Sequence, residues 1–196
     1  MSHHATEDLS ILRSIPNLVI TAPSSVDEVK AITNSLYRLD SPSYLRLDKS
    51  NANIQFNKSD FKIGIASKVK EGESVTLIAT GGILEEALIA SDELEKDGIS
   101  SRIINMHTIK PLDEEAVNKA VLETGGIITV EENNIIGGLG GAISEHCLSS
   151  GNLPRFFSRV GLNDEYSSVV GDQSFLRDYY AMSAKHIVDR VKKYVK

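Results

Sequence analysis

The sequence predicts an α/β protein: a layered, mostly parallel sheet flanked by helices, preceded by a smaller, partial α/β part. Two observations support this prediction. From residue 73 onward, short β-branched runs alternate with segments of helical periodicity, as in parallel sheets with right-handed crossovers. Residues 49–58 are polar and Asn-rich, which is typical of a linker. We therefore divide the chain into an N-terminal part (1–50), a linker (51–60) and a C-terminal domain (61–196).

The N-terminal part is expected to contain two helices and two strands. Apolar residues at three-residue spacing predict a short helix over residues 5–15, which ends before Pro16. Residues 18–22 (LVITA) are typical of a buried strand. Ser25 can cap a second helix, and the alternating segment SYLRLD predicts a strand that carries Arg46.

The C-terminal domain begins with a hairpin-like segment, FKIGIASK, and then alternates strands with helices. The predicted strands are ESVTLIAT, SSRIINM, GIITVEE and RFFSRVG. Three helices are expected between them. The first follows a Thr-Gly-Gly turn, the second begins at Asp113, and the third follows a glycine-rich loop. The tail, residues 173–196, predicts two helices, the second capped at Ser183.

Charge and composition exclude several classes of function. The 196 residues carry 27 acidic and 21 basic side chains, a net charge of −6, so nucleic acid and anionic membranes are not expected partners. No apolar run is long enough to span a bilayer, and the first twenty residues do not resemble a signal peptide. Cys147 is the single cysteine, which excludes an intrachain disulfide. We expect a soluble protein of the cytoplasm.

A glycine-rich loop, Gly137–Gly141, follows a strand and precedes a helix. Backbone amides at a helix N-terminus can hold an anion. The loop nevertheless lacks the Lys-Ser/Thr of a P-loop and the GxGxxG of a dinucleotide site. Two interpretations stay open: the glycines allow close packing on the sheet, or they bind a regulatory anion or nucleotide.

Other residues with possible chemical roles are carboxylates and histidines. Glu131 and Glu132 end a strand at the carboxyl edge of the sheet, where they can serve in acid–base chemistry or simply face solvent. His3 is a candidate donor to an anionic ligand, and His4 with Asp8 has the spacing of a metal-chelating pair. Three further histidines lie singly in separate elements: His107, His146 and His186. Cys147 is expected to be buried.

Four segments, in order, resemble the C-terminal portion of transketolase-type, thiamine-diphosphate-dependent enzymes. They are SHHATEDLSILRSIPNLVITAPSS, MHTIKPLDEEAV, VEENNIIGGLGGAISE and the tail from Gly161 to Val195. The resemblance implies that residues 1–50 are the remnant of a pyrimidine-binding domain. It implies that residues 61–196 form a complete transketolase C-terminal domain, built on a five-stranded, mostly parallel sheet.

The resemblance also implies a function. The complete enzyme is expected to transfer a two-carbon ketol unit between phosphosugars, using thiamine diphosphate and Mg²⁺ held by upstream diphosphate and pyrimidine domains. Those domains would belong to the same chain or to a partner subunit, so truncation and a natural short subunit stay open alternatives. This chain alone is expected to have no catalytic residue, to bind neither cofactor nor metal, and to be inactive. Deoxyxylulose-phosphate synthase and the beta subunits of 2-oxo acid dehydrogenases are alternative relatives.

A homodimer is expected from the incomplete N-terminal part. Its apolar strand residues would lack neighbours and form an edge that associates: Leu18, Ile20, Leu45 and Leu47.

Two site residues are implied by the resemblance. His3 matches the family histidine of a Thr-His motif, although Ser2 replaces the usual threonine. Arg46 matches the arginine on the last strand of the pyrimidine domain. In the family both approach the phosphate of the sugar substrate, and a guanidinium fork suits phosphate oxygens. The alternative is that Arg46 pairs with Asp48, Asp40 or the carboxyl end of a helix.

Overall fold

The computed structural model describes residues 5–49, 52 and 61–195. In the N-terminal part it contains α1 (Asp8–Arg13), β1 (Val19–Thr21), α2 (Val26–Leu36) and β2 (Ser43–Leu45). Helix α1 is shorter at both ends than the expected span of residues 5–15. Ser25 caps α2 as predicted, because its Oγ accepts a hydrogen bond from the amide of Glu28 at 3.3 Å.

The C-terminal domain begins with an isolated antiparallel bridge between Lys62 and Ile65, consistent with the expected hairpin-like start. The elements that follow are β3 (Ser67–Lys70), β4 (Val75–Ala79), α3 (Leu84–Lys96), β5 (Ser101–Asn105), β6 (Thr108–Lys110), α4 (Glu114–Glu123), β7 (Ile127–Asn134), α5 (Leu139–Ser150), β8 (Phe157–Leu162), α6 (Gln173–Tyr179) and α7 (Ala184–Lys192). Asp113 and Ser183 occupy the N-cap positions of α4 and α7, as predicted.

The main sheet has five strands in the order β3-β5-β4-β7-β8. Strands β5, β4, β7 and β8 run parallel, and β3 is an antiparallel edge strand. Every residue of β4 is buried, as expected for a central strand covered on both faces. The predicted five-stranded, mostly parallel sheet is confirmed.

Helices cover both faces of this sheet and create two apolar cores. On one face, α3 packs on β4 and β5, α7 packs against α3, and both helices contribute core residues such as Leu94 and Ile187. On the other face, α1, α4 and α5 contribute Leu9, Val117 and Ile143. The second core therefore contains residues of both the N-terminal part and the C-terminal domain. In the part of the chain that the structure describes, no helix has the length and apolar character needed to cross a membrane.

A second sheet, with the order β2-β1-β6, joins the two parts of the chain. Strand β6 pairs antiparallel with β1, and Ile20 of β1 is fully buried. The expectation that Ile20 would lack neighbours is wrong, because β6 and the second core cover it. Leu47, in contrast, is 60% exposed, as expected.

Most of the predicted linker, residues 51 and 53–60, lies outside the described residues. The divisions at residues 50 and 61 therefore stay predictions. Ala52 is described and buried, and its amide donates to the Ser24 carbonyl at 2.8 Å.

Candidate functional site

Arg46 lies directly after β2, where the N-terminal part meets the carboxyl end of β7. Its guanidinium Nη2 donates to the carbonyl oxygens of Ala5 at 3.0 Å and Glu132 at 2.8 Å. Its Nε lies 3.3 Å from Oδ2 of Asp8. Oδ2 of Asp8 also accepts a hydrogen bond from the hydroxyl of Tyr44 at 2.8 Å. We call these residues the Arg46 cluster: Ala5, Asp8, Tyr44, Arg46 and Glu132.

Burial determines the electrostatics of the Arg46 cluster. The side chains of Arg46 and Asp8 are 17% and 9% exposed, so their ion pair is screened less than a surface pair. Burial and the neighbouring Asp8 carboxylate raise the pKa of Tyr44. Among the described residues, no acceptor lies within hydrogen-bonding reach of Arg46 Nη1.

The sequence anticipated Arg46 but not its partner. Asp8 is separated from it by almost the whole N-terminal part, and no sequence pattern relates the two. Asp48, an expected alternative partner, instead accepts a hydrogen bond from the amide of Gly82 at 2.8 Å. His3 lies outside the described residues, as does His4. The phosphate-binding roles of His3 and Arg46 stay predictions.

A cavity of about 320 Å³, with polar and apolar groups in its wall, is lined in part by chain neighbours of Ala5 and Asp8. Its carboxylates and hydroxyls suit a ligand that donates hydrogen bonds, such as a polyol. The lining residues are Thr6, Glu7, Ser10, Asn134, Ile136, Asp164, Glu165 and Tyr166.

Glu131 is buried beneath the glycine-rich loop. Its Oε2 accepts from the amide of Leu139 at 2.7 Å, and its Oε1 accepts from the amide of Gly140 at 2.8 Å. A Cβ at Gly138 would collide with the Glu131 carboxyl group, so this position requires glycine. The carboxyl group of Glu131 therefore occupies the amides that the anion-binding interpretation assigned to a ligand. The structure favours the other interpretation, in which the glycines allow the loop to pack closely on the sheet.

Burial raises the pKa of Glu131 from its ordinary 4.5 to about 7. The amide hydrogen bonds from Gly140 and Leu139, and the charges of Arg46 and Arg13, oppose this rise but do not cancel it. Glu131 has no exposed surface. Its carboxyl group caps the start of α5. The interpretation that Glu131 faces solvent is therefore wrong.

Glu132 belongs to a buried ion-pair network that sequence analysis missed. Nη2 of Arg177, a residue only 3% exposed, lies 3.0 Å from Oε2 of Glu132, and Nη1 lies 3.5 Å from Oε1 of Glu86. Gln173 Nε2 donates to the same Glu132 oxygen at 2.9 Å. Oε2 of Glu86 accepts from the amide of Ala184 at 2.7 Å. The network attaches α6 to the carboxyl end of β7 and to the first turn of α3, and it attaches the start of α7 to that same turn of α3.

The remaining candidates have structural partners. Burial lowers the pKa of His107 to about 4, so this histidine is neutral near pH 7, and its Nδ1 lies 2.9 Å from the hydroxyl of Thr108. His146 Nε2 lies 3.0 Å from Oδ1 of Asn118. Cys147 is buried, as predicted, and burial raises the pKa of its thiol.

The described residues do not fit a thiamine diphosphate–Mg²⁺ site. Within residues 5–49, 52 and 61–195, no three histidine, cysteine or acidic side chains are grouped so that they could hold a metal ion. The glycine-rich start of α5, the candidate cradle for a diphosphate, is occupied by the carboxyl group of Glu131. We therefore assign no cofactor contact to these residues.

Comparisons with known proteins place both parts of the chain in one family. The family model "Transketolase, C-terminal domain" matches residues 64–187, and "Transketolase, pyrimidine binding domain" matches residues 1–55. The chain is 38% identical, over 188 residues, to a 6-deoxy-6-sulfo-D-fructose transketolase subunit of a Clostridium species, covering 95% of this chain and 58% of that protein. It is 36% identical, over 193 residues, to a Methanocaldococcus jannaschii protein whose name describes a transketolase C-terminal section, covering 97% of this chain and 60% of that protein.

A solved structure described as a split-gene transketolase, inactive beta4 tetramer, superposes with a TM-score of 0.90. It is 32% identical, and the match covers 98% of this chain and 63% of that one. The chain thus spans about three fifths of the length of these similar proteins.

Proposed function

Because this chain belongs to the transketolase family, we propose that it acts as the C-terminal section of an enzyme that transfers a two-carbon ketol unit between phosphosugars. The observation that carries the proposal is the Arg46 cluster. It forms where the pyrimidine-domain match meets the C-terminal-domain match, and it leaves one guanidinium nitrogen without an acceptor among the described residues. The carboxylates and hydroxyls in the wall of the adjoining cavity suit the hydroxyl groups of a sugar.

In this proposal Arg46 binds the phosphate of the sugar through Nη1. Asp8 fixes the plane of the guanidinium, since it faces Nε while two carbonyl oxygens accept from Nη2. His3 supplies a second donor. Charge-assisted hydrogen bonds of this kind hold the sugar in one orientation relative to the reacting carbon.

The rest of the active site is proposed to come from elsewhere in the complete enzyme. Thiamine diphosphate, bound with Mg²⁺ by the diphosphate and upstream pyrimidine domains, would supply the carbon nucleophile for ketol transfer. Those domains lie on the same chain or on a partner subunit, and we propose a homodimer of this chain within a cytoplasmic assembly. A similar protein is named a split-gene beta4 tetramer, which supports association through partner subunits.

The test is reconstitution. With thiamine diphosphate, Mg²⁺, xylulose 5-phosphate and ribose 5-phosphate, the chain alone is expected to give no turnover. Adding a separately produced chain that carries the diphosphate domain and the upstream part of the pyrimidine domain is expected to restore ketol transfer. Turnover by the chain alone would refute its role as a section of the enzyme. If the mixture consumes pyruvate and glyceraldehyde 3-phosphate instead, the deoxyxylulose-phosphate synthase alternative is correct.

A further inference from the structure

A cavity of about 450 Å³ opens between α5, β8 and α7. It shares no residue with the Arg46 cluster. None of its lining residues is acidic, although the protein as a whole carries a net charge of −6. The lining consists of Ile135, Ser144, Phe157, Ser158, Arg159, Asn163 and Arg190.

The two arginines of this cavity differ from the other arginines of similar burial. Arg159 and Arg190 are both partly buried, yet no carboxylate lies within 4.0 Å of either among the described residues. Each other arginine that is buried or partly buried in the described chain has such a partner: Arg13 with Glu145, Arg46 with Asp8, Arg102 with Glu123 and Arg177 with Glu132. Two guanidinium groups without counter-charges therefore face one cavity, where an external anion can neutralise them.

Packing holds the guanidinium of Arg159 in place before any ligand arrives. Its Nη1 donates to the carbonyl of Ile135 at 2.8 Å. Its stem runs over Gly140, where a Cβ would approach Arg159 Cδ to 2.7 Å. The missing side chain of Gly140 thus gives Arg159 its path into the cavity, and a pre-ordered arginine loses less entropy on binding.

Arg190 reaches the same cavity from α7. Its Nη1 lies 3.4 Å from the hydroxyl oxygen of Ser158, which is itself buried. The hydroxyl of Ser144 and the amide of Asn163 add polar groups to the wall. The two arginines keep nitrogens available beyond these single anchoring contacts.

We propose that this cavity binds the phosphate group of a small phosphorylated molecule, or free phosphate, between Arg159 and Arg190. Planar guanidinium forks match phosphate oxygens in geometry and charge. The cavity volume lies within the range of small-molecule sites, so it has room for more than the phosphate itself. The proposal does not depend on the transferase function, because none of these residues belongs to the Arg46 cluster.

The test is titration of the full chain, followed by NMR of arginine side-chain NεH signals, with inorganic phosphate, ribose 5-phosphate and ribose. Phosphate and ribose 5-phosphate are expected to shift the Arg159 and Arg190 signals saturably, and ribose is not. Arg190→Gln is expected to weaken binding about tenfold, and Arg190→Lys less, because lysine keeps the positive charge although it loses the bidentate contact. Arg155→Gln, which removes an equal charge from an exposed site outside the cavity, is the matched control.

Asn163→Asp provides a second variant in which both arginines remain and the cavity gains a negative charge. It is expected to weaken phosphate binding at least fivefold. Equal affinities for phosphate and ribose 5-phosphate would identify free phosphate as the ligand, and tighter ribose 5-phosphate binding would identify a phosphorylated metabolite. No saturable shift, equal losses in Arg190→Gln and Arg155→Gln, or binding lost only in Arg46→Gln would overturn the proposal.

Discussion

Arg46 and Glu131 are two ionisable side chains beside the same strand, β7, and their surroundings differ. Asp8 and two carbonyl oxygens replace the water around the guanidinium of Arg46. Glu131 also receives two hydrogen bonds, but it is so completely buried that its pKa still rises to about 7. The first residue is suited to bind a ligand, and the second to hold the backbone around it.

Replacement of Arg46 by alanine should selectively weaken the binding of phosphorylated substrates. In the reconstituted enzyme, Arg46→Ala is expected to raise KM for phosphosugars at least tenfold more than KM for unphosphorylated analogues, since one charge-assisted contact to phosphate is lost. Arg46→Lys should rescue only part of this loss. Steady-state kinetics with both substrate classes measures the difference. Arg38→Ala, at an exposed site, is the control, and equal losses for both classes would contradict the phosphate role.

Glu131 should make stability depend on pH. The folded state raises the pKa of this group from 4.5 to about 7, so the folded protein binds the proton more tightly than the unfolded chain. This contribution is fully present below pH 4.5 and disappears as the pH rises through about 7. Glu131→Gln cannot titrate, so the stability advantage of the wild type over this variant should shrink across that window.

Urea unfolding at a series of pH values measures this difference in the free energy of unfolding. Glu165→Gln, at an exposed carboxylate, is the control and should differ little from the wild type at any pH. A wild-type advantage that grows with rising pH would show that the carboxylate form of Glu131 is the favoured one in the folded protein.

At the scale of single elements, α5 depends on the glycine that precedes it. Gly138→Ala should cost several kcal/mol of stability, because the new Cβ has no room beside the Glu131 carboxyl group. Gly151→Ala is the matched control at the other end of α5. Gly151 has a positive φ of 75° but nothing within 4 Å, so backbone strain alone should cost about 1–2 kcal/mol. Thermal or urea unfolding compares the two, and a smaller loss for Gly138→Ala would contradict this account of the loop.

The elements that could be predicted from the sequence are those with local signals. Ser25 and Asp113 mark helix starts because their side chains accept hydrogen bonds from the first helical turn, and Ser183 occupies the N-cap position of α7 without such a bond. The apolar β4 stands out as a central strand. Strand β6 could not be predicted, because three residues carry no period and its partner, β1, is distant in the chain. The pairing of Arg46 with Asp8 was missed for the same reason, whereas Arg46 itself was found through a family motif.

For the whole molecule, the shared core implies that the N-terminal part and the C-terminal domain unfold together. Ile20→Ala should lower the free energy of unfolding by about 2–5 kcal/mol, since Ile20 is fully buried between the two parts. Leu47→Ala, at an exposed site, should change it by less than about 0.5 kcal/mol. Urea unfolding followed by both circular dichroism and proteolysis should give one transition. A separate early loss of the first fifty residues would contradict the shared core.

Self-association is also a prediction for the whole molecule. Strand β2 pairs with β1 on one side and is the outer strand of the smaller sheet, and Leu47 beside it is exposed. An edge of this kind favours pairing with another chain. Light scattering at micromolar concentration is expected to report a dimer or a larger species, and a strict monomer would exclude the proposed homodimer.

The pairing of β1 with β6 also determines when the smaller sheet can form during protein synthesis. During synthesis the first fifty residues leave the ribosome well before β6, so the smaller sheet cannot close until much of the C-terminal domain has been made. Until then Ile20 and its apolar neighbours have no cover, and they are available to chaperones or to other nascent chains. Because this strand pair closes late, the chain is exposed to misassembly during the interval of translation between β2 and β6.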